Sequence, residues 1–169
     1  AFEEALTIAE EVNDFVSLAL ANFWFGANLA LNCEFEKATR HYQKAIDINV
    51  AGGYLSGMAS IKGSFAHHCF FCPGKIDLGF RISAEAVHIA EECGDSFAKG
   101  LAYTSHGFSC YGMGMFEEAE EYLLKGISFF QRVKEKMWNS AAHFFLGDTY
   151  FEKGDFPTAE EWHRKGCQL

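Results

Sequence analysis

Two kinds of segment alternate along the chain. One is almost wholly apolar, as in FVSLALANFWFGANLAL (15–31). The other mixes charge with apolar positions, as in FEKATRHYQKA (35–45) and FEEAEEYLLKG (116–126). Both have helical length and spacing, and nothing in the chain reads as a strand. The pattern predicts helices over about 1–12, 15–32, 35–48, 55–72, 75–93, 96–113, 116–134, 137–153 and 156–168. The stretch VAGGYLSG (50–57) is the loosest connection.

The alternation is a repeat. The blocks FEKA (35–38), IDLG (76–79), FEEA (116–119) and FPTA (156–159) end at positions 38, 79, 119 and 159, steps of 41, 40 and 40. Small residues follow seven positions later at Ala45, Ala86, Gly126 and Gly166. Twelve positions before the block ends stand Gly26, His67, Gly107 and Gly147, and five before stand Cys33, Gly74, Gly114 and Gly154. A fifth, partial copy opens the chain, because EALTIAEEVND (4–14) matches EAVHIAEECGD (85–95). Each repeat therefore reads as a helix, a tight turn and a second helix. A mid-helix glycine costs about 1 kcal/mol relative to alanine, so its recurrence implies close approach of the partner helix. The glycine before each block suits a left-handed turn residue. Phe35, Ile76, Phe116 and Phe156 open the second helices, and Pro157 fits a first turn. His67 breaks the glycine column. Either the helix pair is spread there, or the register shifts so that Ala66 makes the close contact.

Gly26 with Ala38, Tyr42 and Ala45, and Gly147 with Tyr150, Gly154, Phe156 and Ala159, resemble the tetratricopeptide repeat signature, and the resemblance runs through the whole chain. The period is near 40 rather than the usual ~34, and the proline that closes each repeat is absent. Longer repeats ending in IAEE-x-x-D look like the arrays of bacterial signalling ATPases, nucleotide cyclases and maltose-regulator-type activators. The resemblance implies an all-α, right-handed superhelical solenoid of antiparallel helix pairs. It forms a single array over 1–169: a partial repeat at 1–13, repeats at 14–53, 54–94 and 95–134, and a truncated last repeat at 135–169. Carried over residue by residue, the concave face comprises Leu20, Phe23, Ala27 and Leu31; Ile61, Ser64, His68 and Phe71; Leu101, Thr104, Phe108 and Tyr111; and Ala141, Phe144, Asp148 and Phe151. The competing reading makes these residues core, with longer helices closing the groove. Family members that clamp chaperone carboxylates use Lys, Arg and Asn on this face. Here Ala27, His68, Phe108 and Asp148 stand at those positions, so an apolar peptide or amphipathic helix fits better. Phe108 and Tyr111, flanked by Phe71 and Phe144, are the expected anchors, with a loss of roughly 2 kcal/mol in binding on Phe108→Ala.

Charge narrows the partners. The net charge of −9 argues against nucleic acid and against an anionic membrane surface. Residues 15–31 are nearly long enough to span a bilayer, but Ser17, Asn22, Asn28 and the recurrence of such segments favour a buried helix. Glu117, Glu118, Glu120 and Glu121, with the pairs Glu10 and Glu11, Glu91 and Glu92, and Glu160 and Glu161, read as a solvated convex face. Six scattered cysteines read as reduced thiols of a cytoplasmic protein. In HHCFFC (67–72), His68, Cys69 and Cys72 have spacings that could present soft ligands on one helical face; packing is the plainer reading, and the end of a helix disfavours a redox thiolate. No cofactor is implied, and no nucleophile, base and orienting acid come together in sequence, so the segment is not expected to be an enzyme. The reading is a protein- or peptide-binding scaffold within a larger signalling or regulatory protein. The alternative is an effector sensor whose aromatic concavity closes on a small ligand. Phe2, Leu6, Trp162 and Leu169 in the terminal helices lead to an expectation of an excised piece of a longer array that self-associates through uncapped ends.

Overall fold

A computed structural model describes residues 2–169. Among these residues the chain forms nine α-helices and no strand: α1 (Phe2–Glu11), α2 (Phe15–Leu31), α3 (Phe35–Gly52), α4 (Leu55–Phe65), α5 (Ile76–Cys93), α6 (Ser96–Gly112), α7 (Phe116–Val133), α8 (Met137–Glu152) and α9 (Phe156–Cys167). Helix α4 continues into a π-helical turn, Ala66–Phe71. The four second helices start where the aromatic and isoleucine column places them. The connection expected to be loose is mostly helical, since α3 runs on to Gly52 before Gly53 closes it in the left-handed conformation.

Helices pair in sequence order, α2 with α3, α4 with α5, α6 with α7 and α8 with α9, and α3, α5 and α7 also pack on the first helix of the next repeat. The first helices touch one another, α4 against α6 and α6 against α8. The result is an all-α helical-repeat solenoid whose inner side is lined by α2, α4, α6 and α8. Carboxylates cap the entrances. Asp14 accepts from the amides of Val16 and Ser17, Asp95 from Ala98, and Glu135 from Met137, Trp138 and Asn139. These caps fix where the first residues of α2, α6 and α8 point. No helix among the described residues is long and apolar enough to cross a membrane.

The glycine columns mark close approaches. A methyl group built on Gly107 would lie 2.7 Å from the Leu123 side chain and 3.2 Å from its backbone nitrogen. Gly107→Ala gains the roughly 1 kcal/mol of helix propensity that glycine forgoes, but it must push α6 from α7, which costs typically 1–3 kcal/mol in a packed core. The net expectation is a lower urea midpoint with an unchanged slope. A stabilised variant would show that the two helices are free to separate.

The extra residue of the second repeat is absorbed inside a helix. Left-handed residues punctuate both kinds of turn: Asn13, Gly53, Gly94 and Lys134 precede the first helices, and Cys33, Gly74, Gly114 and Gly154 precede the second. The distance from the former to the latter is 20 residues in three repeats and 21 between Gly53 and Gly74. That residue is taken up by the π turn, where the Cys72 amide donates to the His67 carbonyl, five residues back, at 2.9 Å. Counted from the start of the helix, Ala66 is the equivalent of Gly26, Gly107 and Gly147. Ala66 is fully buried, and its carbonyl oxygen lies 3.3 Å from where a Gly79 side chain would begin. Of the two expectations at this point, the register shift matches this geometry, and His67 is the inserted residue.

Candidate functional site

His67 projects into the middle of the concave side. Its ring lies 4.8 Å from Phe108, 5.4 Å from Phe71, 6.2 Å from Phe145 and 6.4 Å from Trp138, centroid to centroid. Phe108 and Phe145 are themselves 3.9 Å apart. Aromatic rings from three successive first helices thus fill the centre of the concavity. Next to this cluster, the Tyr42 hydroxyl and His68 Nδ1 are hydrogen-bonded at 2.6 Å. Burial keeps both imidazoles neutral, holding His67 down to about 3, with help from repulsion by His68, and His68 down to about 4.

This packing redistributes the residues expected on the concave face. Phe108 and Thr104, expected to meet a partner, are instead core residues with almost no exposed surface. The reason is physical: the first helices approach closely enough for facing side chains to interdigitate, and the inserted histidine occupies the remaining space. Phe23, Ile61 and Leu101 are also buried. His68, Phe71, Tyr111 and Asp148 are half-buried, and Asp148 accepts a hydrogen bond from His163 Nε2 at 3.0 Å. Leu20, Leu31, Phe144 and Phe151 are exposed.

The candidate ligands in HHCFFC separate. His68 is engaged by Tyr42, and Cys69 is buried, with its thiol pushed up to about 11 mainly by desolvation. Cys72 Sγ sits 3.7 Å from His67 Nε2, a neighbour created by the five-residue spacing of the π turn. Among the described residues no three His, Cys, Asp or Glu side chains group as a metal would require. Burial also raises Cys110, to about 12, so this thiol stays protonated and unreactive near neutrality. All six cysteines are free thiols.

What remains open lies towards the capped ends of the first helices. There a cavity of about 350 Å³ is enclosed by α2, the α3–α4 junction, α4, α6 and α8. Leu20, Phe23, Ile61 and Leu101, all on the expected concave face, form part of its wall. Phe15, Val16, Trp24, Tyr54, Phe97 and Trp138 form most of the rest and were not among the expected residues. Their signal in sequence was weak: Phe15, Phe97 and Trp138 follow within three residues of the capping carboxylates Asp14, Asp95 and Glu135, but at different offsets, so they form no column. Asn49, Ser56 and Ser60 add polar groups beside the Tyr54 hydroxyl and the Trp24 and Trp138 indoles, and no charged side chain takes part. On α2 the mouth is formed by Phe15, Val16, Leu20 and Trp24, which expose 61, 55, 52 and 48% of their surface.

The tetratricopeptide repeat model matches residues 74–169. The chain belongs to the tetratricopeptide repeat family. Solved structures agree on the fold of this tetratricopeptide repeat chain. BtubC (BKLC) from P. vanneervenii superposes with a TM-score of 0.71 at 20% identity, over 99% of this chain and 69% of that one. The apo form of RapI gives 0.72 at 14% identity, over 98% of this chain and 46% of that one. A putative kinesin light chain from Podosopora anserina, with nearly identical TPR-like repeats, gives 0.65 at 13% identity, over 99% and 82%. Curated proteins gave no match.

Proposed function

We propose that this tetratricopeptide repeat chain is a protein- or peptide-binding scaffold, a cytoplasmic part of a larger signalling or regulatory protein, and that it has no catalytic role of its own. The observation that carries the reading is the row of exposed apolar side chains on α2, Phe15, Val16, Leu20 and Trp24, held at the mouth of a preformed cavity by rigid helices. Large exposed apolar side chains grouped around a concavity are what recognition surfaces present. An amphipathic helix laid along the first helices would cover them. The six free thiols support a reducing environment. Membership of the family and the kinesin light chain likeness support the scaffold class.

The test uses a displayed library of amphipathic peptides selected on the wild-type protein. Trp24→Glu should weaken the selected peptides at least tenfold, about 1.4 kcal/mol, whereas Phe151→Glu on α8, outside the cavity, should leave them unchanged. Equal binding to Trp24→Glu by every selected peptide would remove the α2 mouth from the interface.

A second reading, an effector-sensing module that takes a small ligand, draws support from the cavity itself. Its volume lies within the range of small-molecule sites, and its lining is apolar with a few polar groups.

A further inference from the structure

Asn49 is the buried polar group of the cavity wall. It is only 6% exposed. Its Nδ2 donates to the Ala45 carbonyl, one turn back on α3, at 2.8 Å. That bond fixes the carboxamide and turns Oδ1 towards α4, where it rests against Gly57, another residue of the wall. A Cβ on Gly57 would fall 1.9 Å from Oδ1, so the glycine makes room for this carbonyl. No donor among the described residues reaches Oδ1; the side chain's one hydrogen bond is the one that Nδ2 gives.

Around this acceptor the wall is aromatic and aliphatic, with Phe15, Trp24, Tyr54 and Trp138 the largest contributors. Ser56, Ser60 and Tyr54 bring hydroxyls and Trp24 and Trp138 bring indole N–H groups, and nothing charged lines it. An ionic ligand would lose its hydration with no counter-charge to replace it. A neutral ligand loses nothing of that kind, and a donor placed on Oδ1 satisfies a carbonyl that the protein leaves without a partner. The volume of about 350 Å³ suits a compound of a few linked rings.

We propose that the cavity binds a small, uncharged, mainly apolar molecule that gives one N–H or O–H hydrogen bond to Asn49 Oδ1; the proposal rests on the second reading above. An uncharged wall selects an uncharged body, and the Asn49 carbonyl, held in place by the bond its amide gives to Ala45, selects a donor.

The probe is N-phenyl-1-naphthylamine, a neutral aromatic amine with one N–H that fluoresces on leaving water. Its N-methyl derivative has no donor and serves as the comparison. Wild-type protein should bind the amine saturably, with energy transfer from tryptophan, because Trp24 and Trp138 line the cavity. Ser60→Phe and Ser56→Phe, two separate fillings from partly exposed positions on α4, should each abolish binding at unchanged helix content. Asn49→Leu, which keeps the side-chain shape, should weaken the amine about tenfold and leave the methylated probe unaffected. If that variant fails to fold, the wild type alone decides the point, since it should prefer the amine over its methylated derivative by about tenfold. Equal affinity of both probes for the wild type overturns the donor assignment while the small-ligand reading stands. Absence of saturable binding, or equal binding by both filled variants, overturns proposal and reading together.

Discussion

Acidification from neutrality to pH 4 should unfold the protein, with most of the stability lost below pH 6.5. Three histidines are responsible. Folded, His67 takes a proton only at about 3, and His68 and His106 only at about 4, whereas each ordinarily does so near 6.5. Burial is the leading cause for all three. Between these values the unfolded chain binds more protons than the folded one, so stability falls as pH falls from 6.5 and levels off below about 3. One pKa unit corresponds to about 1.4 kcal/mol, so His68 and His106 each contribute roughly 3 kcal/mol and His67 roughly 5. The three together are comparable with the whole stability of an ordinary domain, about 5–15 kcal/mol. Far-ultraviolet circular dichroism against pH measures the midpoint, and His67→Leu should move it to lower pH. A protein still fully helical at pH 4, with an unchanged urea midpoint, would contradict the burial of these rings.

Phe108→Ala should cost about 3–5 kcal/mol of folding stability, the range for truncating a buried aromatic residue. The ring is 1% exposed and touches Phe145, His67 and Phe71, so its removal opens a cavity at the point where α4, α6 and α8 converge. Those neighbours come from α8 and the end of α4, on either side of α6, and cannot all close in on it. Phe144→Ala, an exposed position on α8, is the matched control and should change stability by no more than about 0.5 kcal/mol. Urea denaturation of both variants separates a core role from a surface role for the aromatic positions of the first helices. A loss below about 1 kcal/mol at Phe108 would return that residue to the surface set.

The fold was legible because its determinants are local and recur. A left-handed turn residue, a following Phe or Ile and small residues at fixed offsets each constrain one feature of a helix pair, and they repeat four times. The inner surface was less legible. Whether Phe108 faces a partner or another ring depends on how far apart the first helices stand, and that spacing follows from side chains on three repeats at once. His67 shows the difficulty. In sequence it is an exception in a glycine column, and its opposite meaning, an inserted residue that fills the concavity, emerges only when both sets of turns are placed. Phe15, Phe97 and Trp138 were hidden for a different reason: they stand at different offsets from their turns, so no repeat alignment brings them into one column.

The π turn also limits how far the repeats are modular. A chimera in which residues 95–114 replaced 54–74 would supply a first helix with ordinary α-helical spacing and keep both turns in phase. Its glycine would take the place of Ala66, and the α4–α5 contact would survive. Yet the interior would lack the ring that His67 provides, and Phe108, Phe145 and Trp138 would face a void. Shuffling units in this array would therefore preserve its outline and hollow out its centre: the second repeat acts as a keystone, and its position in the order is fixed.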